Sequence, residues 1–162
     1  MTLPIHEAFM IATEVHARQL DKAGAPYLFH VMRVAMAMRT EEEIVVALLH
    51  DAVEDSPVAR RKPMLLGILS TFGPVVADAV AAISRHRMET YENYIGRISG
   101  NDLAVRVKLK DLDDHLRNFS LTAILSQAEV DRLRSRWNKA ECILEDVFRR
   151  QNYEQKEKKY IW

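Results

Sequence analysis

Few residues in this 162-residue chain interrupt a helix or staple a fold: it has five glycines, five prolines and one cysteine. The lone Cys142 excludes an intrachain disulfide, and the start MTLPIHEAF lacks the basic stretch and apolar run of a signal peptide, so the chain reads as cytoplasmic. An excess of one charge is also missing. With 23 Lys and Arg against 23 Asp and Glu, no global field gathers DNA or RNA, and any phosphate binding must be local. Long apolar runs are absent as well: the longest, Ile44 to Leu49, falls far short of the roughly 20 residues that span a bilayer. Neither nucleic acid nor a membrane is expected as a partner.

What is present is helix-forming sequence. Ala, Leu, Met, Glu, Arg and Lys fill the stretches between the few breakers, and 48% hydrophobic content supports a real core in one domain. Apolar spacing after Pro4 predicts a first helix as far as Leu20, before the turn Lys22-Ala-Gly24-Ala-Pro26. Further helices are predicted near 27–39, 41–54, 62–71, 74–84, 90–98, 101–118 and 127–150, an all-α single-domain bundle of about eight helices with no competing strand pattern. Thr40 followed by Glu43 resembles a capping box that starts the third helix. The domain is taken as residues 1–150, with 151–162 a C-terminal tail of mixed charge and aromatics. The stripe Leu133, Trp137, Ala140, Ile143, Leu144 and Val147 is expected to close the core, and oligomeric state is not readable.

The chemistry concentrates where an apolar helix ends in His50-Asp51-Ala-Val-Glu54-Asp55. On one continuous helix, His50 with Glu54 and Asp51 with Asp55 form two i,i+4 pairs on adjoining stripes. Burying these groups beside Val46, Leu48 and Leu49 is costly, and a divalent cation compensates an imidazole plus carboxylates. A His-Asp dipeptide alone reads as ordinary helix-end polarity. Two other elements supply matching donors: His30 within Tyr27-Leu-Phe-His30, and a stripe of Lys108, Asp111, Asp114, His115 and Asn118 at steps of three and four. Leu103, Val105, Val107, Leu109, Leu112 and Leu116 flank that stripe and suggest burial.

Taken in order, His16-Ala-Arg-Gln19, Lys22-Ala-Gly24-Ala-Pro26-Tyr27 to His30, Ala47-Leu-Leu-His50-Asp51-Ala-Val-Glu54-Asp55, Phe72-Gly73 and Val107-Lys108-Leu-Lys-Asp111 resemble the HD-domain superfamily. Within it they are most similar to the hydrolase domain of RelA/SpoT-type alarmone hydrolases, small single-domain members included, from about residue 5 to 147. The resemblance implies one divalent metal, manganese by family habit with iron, cobalt or zinc as alternatives, held by His30, His50, Asp51 and Asp111. It implies Glu54 and Asp55 as the catalytic acidic pair. The implied reaction is attack of metal-activated water on the phosphate at the ribose 3′ oxygen of ppGpp, giving GDP and pyrophosphate. Lys22 and Arg85 are substrate contacts by position, Lys108 by its place on the Asp111 stripe, and His115 and Asn118 as further substrate-facing residues. Tyr91 and Tyr94 match a tyrosine pair of the small members.

Departures from the pattern fall on the substrate side. Asp21 stands where these hydrolases carry an Arg that packs on guanine, and a carboxylate makes no cation–π contact. His115 stands where they carry Asn near the ribose, and Val31 follows His30 in place of Pro. Two other readings therefore accompany the alarmone one: hydrolysis of a deoxynucleotide 5′-phosphate or triphosphate or of the NADPH phosphate, and a non-catalytic HD module that binds a nucleotide or protein. Glu54 and Asp55 favour an enzyme, because a binding module needs no water-activating pair.

Overall fold

A computed structural model of the chain describes residues 4–21, 24–118 and 125–159. Among them are nine helices and no strand: α1 (Pro4–Val15), α2 (Leu28–Met36), α3 (Glu41–Leu49), α4 (Ala52–Asp55), α5 (Val58–Phe72), α6 (Pro74–Ile83), α7 (Tyr91–Ser99), α8 (Asp102–Asn118) and α9 (Gln127–Lys159). None is long and apolar enough to cross a membrane.

Helix α3 is the centre of the bundle, with α1, α2, α6 and α8 packed around it. Val45, Val46, Ala47, Leu48 and Leu49 are all buried, so it is apolar nearly all round instead of carrying one stripe. Its start is fixed by the capping box expected from Thr40: Glu43 N–H donates to Thr40 Oγ1, and Thr40 N–H donates to Glu43 Oε2, each at 3.2 Å. Arg106 on α8 pairs with the buried Glu43 at 3.2 Å and ties the same end to the neighbouring helix.

Two predicted helices are corrected. The first stops at Val15 and not Leu20, because residues 16–21 and 24–27 pair with one another: Asp21 N–H donates to Ala25 O at 2.8 Å, Tyr27 N–H donates to Gln19 O at 2.9 Å, and Leu20 pairs with Pro26. Gly24 turns the loop at φ 84°, a left-handed conformation that side chains resist. The predicted helix 41–54 breaks at His50 and Asp51. There the His50 ring donates from Nδ1 to Ala47 O at 2.7 Å, the carbonyl that Asp51 N–H uses in an uninterrupted helix. The bundle otherwise follows the predicted order, and splitting that one helix raises the number from about eight to nine among the described residues.

Helix α9 lies against α8 and buries Val130, Trp137, Ala140 and Leu144, while Ile143 stays exposed. It continues past residue 150 to Lys159, so most of the segment set apart as a tail is helical.

Candidate metal centre and active site

Helices α2, α3 and α8 meet around one buried polar cluster. His30 projects from α2, His50 and Asp51 from the break after α3, and Asp111 and His115 from one face of α8. Asp111 Oδ1 lies 3.2 Å from His30 Nε2, 3.8 Å from His50 Nε2 and 3.1 Å from His115 Nε2. Asp51 Oδ2 lies 3.0 Å from His50 Nε2 and accepts the Tyr27 hydroxyl at 2.5 Å. His30, His50 and Asp111 are buried, whereas the side chains of Asp51 and His115 keep 21% and 19% of their surface exposed, so the cluster opens on their side.

The other ring nitrogens fix which edge of each imidazole faces inward. His30 Nδ1–H donates to Asp114 Oδ2 at 2.7 Å and His50 Nδ1–H donates to Ala47 O at 2.7 Å; neither acceptor carries a proton, so both rings present Nε2 to the cluster. His50 Nε2 and Asp111 Oδ1 are buried and make no well-formed hydrogen bond among the described residues. Two imidazole nitrogens and two carboxylates are donors suited to a divalent cation. Donor atoms about 2.0–2.2 Å from an ion stand about 3.0–3.5 Å apart, the spacing that most of these contacts have. His30, His50 and Asp51 offer atoms all within 4.8 Å of one another, as do His30, Asp111 and His115. The residues fit a divalent metal.

Opposite charges in the cluster offset the cost of burial. Burial opposes ionisation of Asp111, but Lys108, whose Nζ donates to Asp111 Oδ2 at 2.6 Å, together with His115 and His30, outweighs it and holds the carboxyl well below its usual range. Burial likewise opposes the charge on Asp51, and His50 overcomes it. For His30 burial pulls downward, yet bonds to Asp111 and Asp114 lift the imidazole to about 9. Lys108 is therefore engaged with the Asp111 carboxylate and packs over the Tyr94 ring.

Asp51 and Asp55 keep the i,i+4 relation expected from sequence, with Asp55 N–H donating to Asp51 O at 2.9 Å, but the two acidic side chains of α4 point to different neighbours. Asp55 turns to the α1 end, where Gln19 Nε2 donates to its Oδ2 at 2.7 Å and Gln19 is itself held by His16 Nδ1 at 2.6 Å. Glu54 faces the end of α6 and accepts from Arg85 N–H at 2.9 Å. Burial raises the pKa of both carboxyls; the Asp51 charge adds to this, while the Arg85 amide partly offsets it at Glu54. Glu54 and Arg85 line a cleft of about 310 Å³ with Arg61, Lys62 and Arg87. Arg85 Nη2 donates to Glu89 O at 3.0 Å, and its buried Nε has no hydrogen-bond partner among the described residues.

Other predicted residues fall elsewhere. Asn118 is exposed, and its amide donates to Asp114 Oδ1 at 2.8 Å. Tyr94 is buried with its hydroxyl on Ile83 O, and Tyr91 lies under Arg136 and Arg85. Lys22 lies outside the described residues. Asp21 accepts Ala25 N–H within its own turn at 2.9 Å.

Several roles were not legible in the sequence. Asp114 appears there as one more member of a polar stripe, yet it is the buried partner of His30 and also accepts from Arg33 at 2.7 and 2.9 Å. Tyr27 holds Asp51. Arg97 on α7 donates to the carbonyls of Ala81, Ala82 and Ser84, closing the end of α6 just before Arg85. Of these, only the spacing of Asp114 from Asp111 carried a sequence signal.

No protein-family model matches the chain. Among curated proteins it is 32% identical over 123 residues to a guanosine-3′,5′-bis(diphosphate) 3′-pyrophosphohydrolase of Aquifex aeolicus, covering 70% of this chain and 17% of that protein. It is 31% identical over 122 residues to the protein of the same name from Haemophilus influenzae, covering 68% and 17%. To the bifunctional (p)ppGpp synthase/hydrolase SpoT of Escherichia coli it is 29% identical over 127 residues, covering 71% and 17%. The chain thus matches about one sixth of the length of these relatives. Among solved structures it resembles a metazoan ortholog of SpoT, described as hydrolyzing ppGpp and playing a role in starvation responses, with a TM-score of 0.69 at 22% identity over 93% of this chain and 97% of that one. The fold is therefore shared along nearly the whole of both chains.

Proposed function

We propose that the chain is a metal-dependent phosphohydrolase that cleaves ppGpp to GDP and pyrophosphate in the cytoplasm. The observation that carries this reading is the convergence of His30 Nε2, His50 Nε2, Asp51 Oδ2 and Asp111 Oδ1 beside two carboxyls, Glu54 and Asp55, whose pKa values burial raises. Similarity to proteins named as ppGpp pyrophosphohydrolases supports the substrate. Manganese is the proposed ion, on the family resemblance. When bound by His30, His50, Asp51 and Asp111 it supplies a Lewis acid that lowers the pKa of water.

The chain's own residues supply the rest. Hydrolysis joins a water oxygen to the phosphorus on the ribose 3′ oxygen, breaks that P–O bond and returns a proton to the 3′ oxygen. Glu54 is the base: burial makes it a stronger proton acceptor than a solvated carboxylate, and Arg85 N–H fixes one of its oxygens. Asp55, oriented by Gln19, adds negative charge beside the water. Arg85, which lines the cleft with Glu54, is a phosphate contact by position. Lys108 keeps Asp111 ionised and screens the phosphates from it. Lys22 is a further phosphate contact by position.

A second reading keeps this chemistry and changes the nucleotide. It is favoured by Asp21, whose carboxylate is bonded into its own turn at the position where a guanine-stacking Arg is expected.

The test is turnover of ppGpp, deoxynucleotide mono- and triphosphates and NADPH with Mn²⁺, for wild type, Asp51→Ala and Glu54→Gln. Release of GDP and pyrophosphate from ppGpp, with kcat reduced roughly 10²–10⁴-fold in Glu54→Gln, is expected. Hydrolysis of another nucleotide alone selects the second reading. No hydrolysis above the Asp51→Ala background defeats the catalytic assignment.

A further inference from the structure

We infer that His115 is a fifth protein ligand of the metal centre, making the donor set three imidazoles and two carboxylates. The inference rests on the proposed binding of a divalent cation by His30, His50, Asp51 and Asp111, and extends it to a residue that the family resemblance assigns to the substrate side.

The geometry is that of a ligand. His115 follows Asp111 by one helical turn on α8, so the two side chains leave the same face, and His115 Nε2 lies 3.1 Å from Asp111 Oδ1. With His30 Nε2 these atoms all lie within 4.8 Å of one another, as do those of His30, His50 and Asp51. In an octahedral centre with bonds of about 2.1 Å, adjacent donors stand about 3.0 Å apart and opposite donors about 4.2 Å. The triads contain three contacts that match adjacent donors in that frame: His115 Nε2 to Asp111 Oδ1 at 3.1 Å, His30 Nε2 to Asp111 Oδ1 at 3.2 Å and His50 Nε2 to Asp51 Oδ2 at 3.0 Å. They share His30, whose Nδ1 is committed to Asp114, and a single Nε2 serves one ion. The ion that His30 holds is therefore within reach of His115 as well.

The His115 ring is held in place for this role. It stacks between His30, at 4.7 Å and 14°, and Trp137 of α9, at 5.0 Å and 11°. That sandwich fixes the ring plane and leaves in-plane Nε2 directed along the edge of the stack toward Asp111. An Asn at this position offers only a weakly donating amide oxygen. A third imidazole shifts preference from manganese toward cobalt, iron or zinc and leaves one of six coordination positions for water or substrate.

The test uses the metal-free 162-residue chain titrated with Co²⁺ and proton NMR in H₂O and D₂O. Each imidazole bound through Nε2 contributes one exchangeable, paramagnetically shifted Nδ1–H signal. Three are expected in wild type and two in His115→Asn, whose Co²⁺ affinity should fall at least about tenfold. The wild-type number decides the question even if the variant does not fold. Two signals in wild type overturn the inference and leave the hydrolase reading intact. Failure to bind Co²⁺ at all overturns both, whereas three signals without ppGpp turnover leave His115 a ligand and defeat only the substrate assignment.

Discussion

Asp114 and His30, 84 residues apart in the chain, form a buried hydrogen bond of 2.7 Å in which His30 Nδ1–H donates to Asp114 Oδ2. The bond sets the His30 tautomer and aims Nε2 into the cluster. Burial works against the charge on Asp114, but His30 and Arg33 outweigh it and keep the carboxyl ionised far into acid. A carboxylate behind a metal-facing imidazole raises the basicity of that imidazole and holds its plane.

Asp114→Asn should therefore weaken divalent-metal binding about 10–100-fold while sparing every proposed metal donor. Calorimetric titration of the metal-free variant checks this, with circular dichroism confirming that the helices persist. An unchanged affinity would show that Asp114 serves packing alone.

Asn118→Ala separates two roles for an exposed residue. Its amide donates to Asp114 Oδ1, so its loss should lower metal affinity by less than about tenfold and leave KM for the nucleotide unchanged at saturating metal. A raised KM at saturating metal would return Asn118 to direct substrate contact.

Tyr27→Phe removes the hydroxyl that Asp51 accepts at 2.5 Å without changing ring packing against His16 and His30. Metal affinity should fall about tenfold, with the melting temperature of the metal-free protein shifted by only a few degrees. Equilibrium dialysis and thermal melts measure the two effects independently.

Glu89 and Arg97 provide a pH test away from the metal cluster. The Arg97 hydrogen bond, at 2.6 Å, holds the Glu89 carboxyl down from an ordinary 4.5 to about 2. A carboxyl depressed on folding stabilises the protein above its unfolded value and loses that contribution as pH falls through the folded one. Glu89→Gln should destabilise on the order of 1 kcal/mol at pH 7, and the gap to wild type should close between about pH 4.5 and 2. Melts across that range give the sign. Because Arg97 also closes the end of α6 before Arg85, the variant should raise KM for the nucleotide as well.

How far the sequence reached differs from residue to residue. The apolar run before His50 made a buried helix legible, and Thr40 with Glu43 made its start legible, because both signals are local. The break after Leu49 was not legible: periodicity runs through it, and the His50 bond to Ala47 O that competes with the helix depends on where the ring is pulled. Glu54 and Asp55, consecutive in α4, point to different neighbours, Arg85 on one side and Gln19 on the other, which only the docking of α1 and α6 reveals.

Residue type offered His30, the His50-Asp51 pair and the Asp111 stripe as matching donors, while the family resemblance picked out His30, His50, Asp51 and Asp111 as ligands and left His115 on the substrate side. Local sequence determined the helices, their apolar faces and the kinds of donor each carries, since these depend on neighbours within a few positions. Tertiary structure alone decided which ring nitrogen faces inward, that Asp114 stands behind His30, and that Trp137 presses His115 into the same cluster. Those outcomes need α2, α3, α8 and α9 docked together, because only long-range packing can pay the cost of burying so many polar groups at one point.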